Sequence, residues 1–380
     1  VPHRVGTGER GAIVGERVLV IGGTGPTGLP LVRGLVDRGH AVTILHRGLH
    51  ERRETPAEVE HLHADPYDPG ALHDVARDRT FDVVVAMYGR LRRIAAEWRG
   101  RTARFVSVGG VPAYRGWMNP FLTPHLPVPV PEDAALVTEP SEDEKGSRIV
   151  RTEEAVFEHH PGAAHFRYPY VYGPYQLAPR EWCIVRRVLD GRRRIVVPDD
   201  GLTLHHHGYT ENLAHALLLA IDRPDAAAGK VFNVGDEDVL SIRQVVEVVA
   251  AALDHELDVV SMPADVAVPA RPLLQQPSTA HRVLDLTRVR RDLGYRDVVA
   301  PPEALARTAR WLAEHPPARG GTEEMVLTDP FDYDAEDRLI DAWEHARDSV
   351  AAVEFPVEPG YGLAYSGPGG RARSKAVFET

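Results

Sequence analysis

One stretch constrains this chain more than any other: "VLVIGGTGPTGLPLVRGLVDRGHAVTILHRG", Val18 to Gly48. A short apolar run flows straight into Gly22, Gly25 and Gly28, helical periodicity follows, and a second apolar run closes the unit. Glycines at that spacing let a backbone turn tightly from strand to helix and approach a pyrophosphate, whose charge then faces the free N–H groups of the helix N-terminus. Gly22, Thr24, Gly25, Pro26, Thr27 and Gly28 are therefore expected to cradle a dinucleotide.

Further β-rich runs follow at "HLHAD", "DVVVAMY", "RFVSVGG" and "AAHFRYPYVYG", separated by helical periodicity. That alternation reads as an α/β fold: a Rossmann-like doubly wound parallel sheet, a smaller C-terminal substrate domain and an extra C-terminal tail. The boundaries expected are an N-terminal extension over 1–16 and a dinucleotide-binding domain over 17–177, to which 208–235 returns. A mainly substrate-binding part spans 178–315 and an acidic extension 316–380. In the third part, "SIRQVVEVVAAAL" reads as a helix opened by Ser241, and the Pro-rich "DVAVPARPLLQQP" as irregular. The extension holds 13 Asp and Glu against 6 Lys and Arg, most of the chain's net charge of −11. Within it an amphipathic helix is expected, capped by Asp334, with Leu339, Trp343, Ala346 and Val350 on one face.

Charge and composition narrow the partners. The acidic balance argues against nucleic acid, because neutralising phosphates needs a concentrated basic surface. The Arg clusters at Arg90 to Arg101 and Arg186 to Arg194 read as a solvated helix face and a turn. No apolar run of membrane-spanning length occurs, and the lone Cys183 excludes an intrachain disulfide. A cytoplasmic location is expected, with a small-molecule substrate, no membrane and no nucleic acid as partners.

The second strand ends on His46 and Arg47, where a site preferring NAD usually offers a carboxylate to the adenosine ribose. A guanidinium there suits a 2′-phosphate, so NADP(H) is the expected cofactor and NAD(H) the alternative. Asp65 is placed to approach the adenine edge. Met87, Ser107, Tyr168 and Pro169 complete the expected cofactor contacts at the ends of later strands.

An ordered series of motifs resembles the extended short-chain dehydrogenase/reductase superfamily, with its sugar-nucleotide epimerases and dehydratases. The series is "GGTGPTG" (Gly22 to Gly28), "RYPYVYGP" (Arg167 to Pro174), "YTENLAHALLLAI" (Tyr209 to Ile221), "VFNVGDEDVLSIRQVVEVVA" (Val231 to Ala250) and "RVLDLTRVRRDLGY" (Arg282 to Tyr295), closed by "PPEALARTARWLAEH". The resemblance covers about residues 17 to 315. It implies a nicotinamide cofactor, a smaller domain over the substrate, a homodimer, and a catalytic Ser or Thr after the fifth strand with a Tyr-x-x-x-Lys helix.

The chain departs from that pattern where the chemistry would be. Aligned on Glu153 and Glu154, Lys145 stands at the Tyr position and Ile149 at the Lys position, and no Tyr occurs anywhere from Glu132 to Val156. Val108 and Gly109 fall near the usual hydroxyl, with Ser107 close by. Tyr114, Lys145, Tyr168 and Tyr170 are the candidates left to move a proton. Gly109, Tyr114, Trp117, Trp182, His205 and His207 are the candidate substrate contacts. His205 and His207 could share one side of an extended segment, but no metal is expected, because no Cys or carboxylate with ligand spacing supports them. Three functions compete: an atypical NADP(H)-dependent ketoreductase or epimerase-like oxidoreductase on a carbonyl-bearing small molecule; a catalytically degenerate dinucleotide-binding sensor or assembly protein; and RNA binding through the Arg clusters.

Overall fold

The computed structural model describes residues 15–48, 52–87, 89–122, 125–274 and 278–356. Residues 1–14, most of the expected N-terminal extension, and 357–380, the last part of the expected acidic extension, lie outside the described residues. The chain divides into two compact units, 1–331 and 332–380. Residues 316–331 thus belong to the body, and the boundary falls at Asp332 rather than at 316.

The first unit is built on seven parallel strands: β1 (Arg17–Ile21), β2 (Ala41–His46), β3 (Glu60–His63), β4 (Phe81–Met87), β5 (Thr102–Gly110), β6 (Ala164–Tyr168) and, much later in the chain, Lys230–Asn233. Their spatial order is that last strand, then β6, β5, β4, β1, β2 and β3. Both faces must be covered, which is why β1 reads as an uninterrupted apolar run. Val18 and Val20 pack into one core with Leu31, Leu35 and Leu217. Leu19 and Ile21 pack into the other with Leu72, Ile94 and Trp98. The helices between these strands are α1 (Gly28–Val36), α2 (Pro69–Ala76), α3 (Leu91–Glu97) and α4 (Glu144–His159).

Beyond the sheet come β7 (Tyr170–Tyr172), α5 (Trp182–Leu189), β8 (Arg194–Pro198), β9 (His207–Tyr209), α6 (Thr210–Asp222), α7 (Pro224–Ala227), the returning strand β10 (Lys230–Asn233), α8 (Ile242–Ala251), β11 (Asp258–Met262), α9 (Arg271–Leu274), α10 (Thr287–Leu293), α11 (Pro301–Glu314) and α12 (Thr322–Met325). Strands β7 and β9 pair in parallel, as do β8 and β11. The stretch read as irregular contains a 3-10 turn at Val268–Ala270 and the short helix α9, because its prolines sit where first-turn N–H groups need no partner. Ser241 caps α8 through a reciprocal pair with Gln244, as its position suggested.

Residues 316–331 wrap α5 through buried polar contacts. Trp182 Nε1 donates to Glu324 Oε1 at 3.0 Å, and Arg187 donates to Asp329 Oδ2 at 2.7 Å. The second unit holds α13 (Tyr333–Ala351), capped by Asp332, whose carboxylate accepts from Ala335 N–H, and not by Asp334. Its buried residues are Glu336 and Ile340, whereas Ala346 and Val350 of the expected face are exposed. Among the described residues no helix is long and apolar enough to cross a membrane.

Candidate active site

The C-terminal ends of the sheet strands open onto a cavity of about 1040 Å³. Its first wall is the glycine loop, and the glycines are there for space. Gly22 sits at φ +95°, a conformation side chains rarely adopt, and a Cβ on Gly28 would lie 2.4 Å from the carbonyl of Gly23. The Gly25 N–H donates to Gly22 O, the Gly28 N–H to Gly25 O, and Thr27 leaves the start of α1 without a side-chain cap. The loop therefore lays bare backbone along the cavity at the positive start of α1, a cradle shaped for an anion. Thr24, Gly25, Pro26, Thr27 and Gly28 all line the cavity, as do Met87, Tyr168 and Pro169.

At the end of β2, His46 and Arg47 line the cavity too. His46 is buried: its Nδ1 accepts the Gly48 N–H at 3.0 Å and its Nε2 lies 2.9 Å from His61 Nδ1. With His63 these rings bring three side-chain nitrogens within 4.8 Å of one another. Accepting the Gly48 N–H leaves the proton of neutral His46 on Nε2, so a cation could not use that nitrogen without displacing it. Parallel pairing of β2 with β3 at His46 and His63 makes the cluster, a pairing that spacing along the chain does not show.

Two expected cofactor contacts stand elsewhere. Asp65 accepts the Tyr67 N–H at 2.9 Å and shapes the turn; Pro66 and Tyr67, rather than Asp65, line the cavity. Ser107 is fully buried, its hydroxyl 2.8 Å from His165 Nδ1, because its side chain points through the sheet and away from the cleft. Val108, Gly109 and Gly110 present themselves instead.

The candidate proton carriers separate clearly. Tyr114 lies in the core with no exposure, donates to Asn233 Oδ1 at 2.7 Å and stacks beneath Arg167; burial pushes its phenol up to about 12. It is absent from the cavity lining, both as acid and as substrate contact. Tyr168 lines the cavity but its hydroxyl approaches Leu213 O. Tyr170 lines it as well, yet its hydroxyl donates to Ala178 O and accepts the Arg180 N–H, and burial holds the phenol well above its ordinary value. Lys145 lines the cavity one helical turn from Ile149. It makes no hydrogen bond or ion pair among the described residues.

On the substrate side, Gly109, Trp117 and His205 reach the cavity. Burial, followed by Arg180 and Arg282, holds His205 neutral far below the ordinary histidine range. Trp182 and His207 do not reach it: the indole serves Glu324, and His207 is a buried partner of Arg180. His206 is structural, taking the Leu284 N–H on Nδ1 and placing Nε2 2.8 Å from Asp236 O. Four features of the wall escaped sequence reading: Arg52, Tyr175, Arg271 and the strap Val326–Thr328. Arg52 packs 3.9 Å over the Tyr175 ring, a contact across the fold that no local pattern announces. The described lining contains Arg47, Arg52, Lys145 and Arg271 but no Asp or Glu, in a chain of net charge −11.

Comparison with known proteins agrees with this architecture. The model of the NAD dependent epimerase/dehydratase family matches residues 154–235. Among solved structures, UDP-glucose 4-epimerase from Thermotoga maritima with UDP-glucose superposes with a TM-score of 0.62 at 17% identity, covering 79% of this chain and 99% of that one. The enzyme WbmH of Bordetella bronchiseptica, solved with NAD+, gives 0.63 at 15% identity over 79% of this chain and 99% of its own. The fold is that of the extended short-chain dehydrogenase/reductases.

Curated relatives match over part of their length. The chloroplast stem-loop binding protein of 41 kDa b from Arabidopsis thaliana is 26% identical over 252 residues, 62% of this chain and 63% of that protein. An uncharacterized protein, y4nL, from Sinorhizobium fredii is 26% identical over 170 residues, 39% of this chain and 47% of its own length. The chain thus spans roughly half to two thirds of these relatives.

Proposed function

We propose that this chain is an atypical NADP(H)-dependent oxidoreductase, a ketoreductase or epimerase-like enzyme acting on a carbonyl-bearing small molecule. The observation that carries the reading is the continuity of the cavity. One continuous lining includes the glycine cradle, Trp117, His205, Arg271, the strap at Val326–Thr328 and Lys145. The cradle suits a pyrophosphate because glycines keep the loop tight and its backbone bare, Gly28 allowing the start of α1 to lie directly against the Gly23 backbone. Arg47 and Arg52, with no facing carboxylate among the described lining, favour a 2′-phosphate and hence NADP(H) over NAD(H).

When bound, the nicotinamide supplies or accepts the hydride. The chain must move the accompanying proton. Lys145 is the ionisable side chain of the lining that stands at the Tyr position of the superfamily helix, and its ammonium can donate to, or electrostatically stabilise, an oxygen that gains negative charge. Neutral His205 can orient that oxygen as a hydrogen-bond donor. Trp117, Tyr170 and the strap exclude water and present apolar surface to the remainder of the substrate. A small-molecule substrate, a homodimeric state and a cytoplasmic setting belong to the same reading.

A second reading is favoured by the side chains beside the nicotinamide end. Tyr168 and Tyr170 both spend their hydroxyls on backbone carbonyls, as a protein that binds the dinucleotide without turnover could afford. The deciding experiment follows NADPH absorbance at 340 nm in a screen of ketones, quinones, keto acids and keto-sugars. Oxidation by one class, lost in Lys145→Met with NADPH affinity kept, supports the enzyme. Tight binding with no oxidation by any class favours the sensor.

A further inference from the structure

A second cavity of about 790 Å³ lies between α3 and α4, and shares Gly89, Val108, Gly109, Gly110, Lys145 and Ile149 with the first. Its walls carry Arg90, Arg92, Arg93, Lys145 and Arg148, and no Asp or Glu appears in the described lining. In a chain of net charge −11, five cations on one cavity are a local inversion of sign. The nearest paired acid is Glu144, 3.9 Å from Arg148 across one helical turn. Glu97, on the neighbouring helix, is engaged with His73. Arg92 makes no hydrogen bond or ion pair among the described residues, and neither does Lys145.

Two of the cations are held in place. Arg93 donates to Tyr67 O at 3.1 Å, and Arg90 lies 4.7 Å over the Tyr67 ring. The floor is built as well. A Cβ on Gly109 would fall 2.4 Å from His165 Nε2, so the glycine lets that ring reach the cavity. His165 is 1% exposed, and its Nε2 makes no hydrogen bond, with Glu153 Oε2 at 3.4 Å. The ring is held by Ser107 on its other nitrogen. A buried, neutral ring nitrogen without a hydrogen bond, on the lining of a cavity that also carries four exposed guanidinium groups, is what a polar ligand would use.

The geometry points to a second ligand site here, one that takes a small phosphorylated molecule beside the nicotinamide end of the cofactor cleft. Guanidinium forks match phosphate oxygens two at a time, and several of them around one cavity favour a multiply charged phosphoryl group over a single carboxylate. Such a molecule would be an anionic substrate that reaches through the shared glycines or a separate effector. Both bind by the same contacts.

The test titrates inorganic pyrophosphate into the full-length protein by calorimetry, with and without saturating NADPH, in the wild type, in an Arg92→Ala/Arg148→Ala double variant and in Gly28→Ala. Gly28→Ala disturbs the glycine loop by crowding the Gly23 backbone, and neither residue lines the second cavity. The site predicts pyrophosphate binding that survives NADPH saturation and Gly28→Ala, and that weakens about tenfold or more in the double variant while its NADPH affinity is unchanged. Pyrophosphate that binds only to the cofactor-free protein, or binds equally well to the double variant, overturns it. A single-stranded RNA 12-mer is run alongside. RNA that binds the wild type, loses affinity in the double variant and is not displaced by pyrophosphate would make the patch a nucleic-acid surface and overturn the small-ligand site. Should the protein fail to bind NADPH at all, the cofactor reading falls, and the comparison of double variant with wild type still decides this site.

Discussion

The two ends of the main cleft were shaped by different demands. At the glycine end the backbone does the work: Gly22 takes a conformation that few other residues reach, and Gly28 packs so tightly on the Gly23 backbone that a Cβ would lie 2.4 Å from it. The far end depends on side chains in the proposed reading, where the resemblance sets Lys145 and Ile149 at the positions of the expected Tyr and Lys. A site defined by absent side chains tolerates few residues, whereas a proton can be delivered by any correctly placed acid. The first end therefore reads directly from sequence and the second only from the fold.

The largest effect is expected at the glycine end. Gly28→Ala should weaken NADPH binding about 100-fold or more in a fluorescence titration, with the far-ultraviolet circular dichroism spectrum retained, because a methyl 2.4 Å from the Gly23 backbone must push the loop out of its shape. At the other end, Lys145→Met should lower kcat by about 10²–10³ with NADPH affinity kept, the usual worth of a positioned acid. Tyr114→Phe should leave kcat within about twofold of wild type and cost about 1 kcal/mol in urea unfolding, since it removes a buried hydrogen bond outside the cavity. Equal losses of kcat in the two variants would erase the distinction between them.

Arg47→Asp tests the adenosine end. The Kd ratio of NADPH to NADH should shift about 10–100-fold towards NADH, because a carboxylate repels the 2′-phosphate and accepts from a ribose hydroxyl.

The smallest expected effect is on stability and pH. Glu181 is 1% exposed, neither carboxylate oxygen makes a hydrogen bond, and burial raises its pKa. A carboxyl that holds its proton longer when folded costs nothing at acid pH and destabilises increasingly as pH rises through the ordinary carboxylate value towards the raised one. Glu181→Gln should therefore match wild-type Tm near pH 4 and exceed it by a few degrees near pH 8, about 1 kcal/mol of stability. A Tm difference that does not change with pH would mean that Glu181 titrates alike in the folded and unfolded chain, against the raised value.

Much of the architecture was legible. Apolar runs and punctuating glycines gave β1 to β6 and α1, and Ser241 marked its helix through a capping pair that is local in sequence. What misled were positions whose facing depends on register. Ser107 is one residue from Val108, and that single step turns its hydroxyl to the far side of the sheet. Tyr114 and Trp182 look like pocket aromatics in a string of letters, yet Asn233 and Glu324, over 100 residues away, claim their polar ends. The His46–His61–His63 cluster and the Arg52–Tyr175 stack are products of strand pairing and tertiary packing, invisible to spacing.

The most direct test of the contrast between the two ends is a paired fluorescence titration of the wild-type protein with NADPH and NADH. NADPH that binds at least about tenfold tighter is the expected result, since Arg47 and Arg52 line the cavity where the proposed reading puts the 2′-phosphate. No binding of either nucleotide, or tighter binding of NADH, would contradict a working NADP(H) cleft.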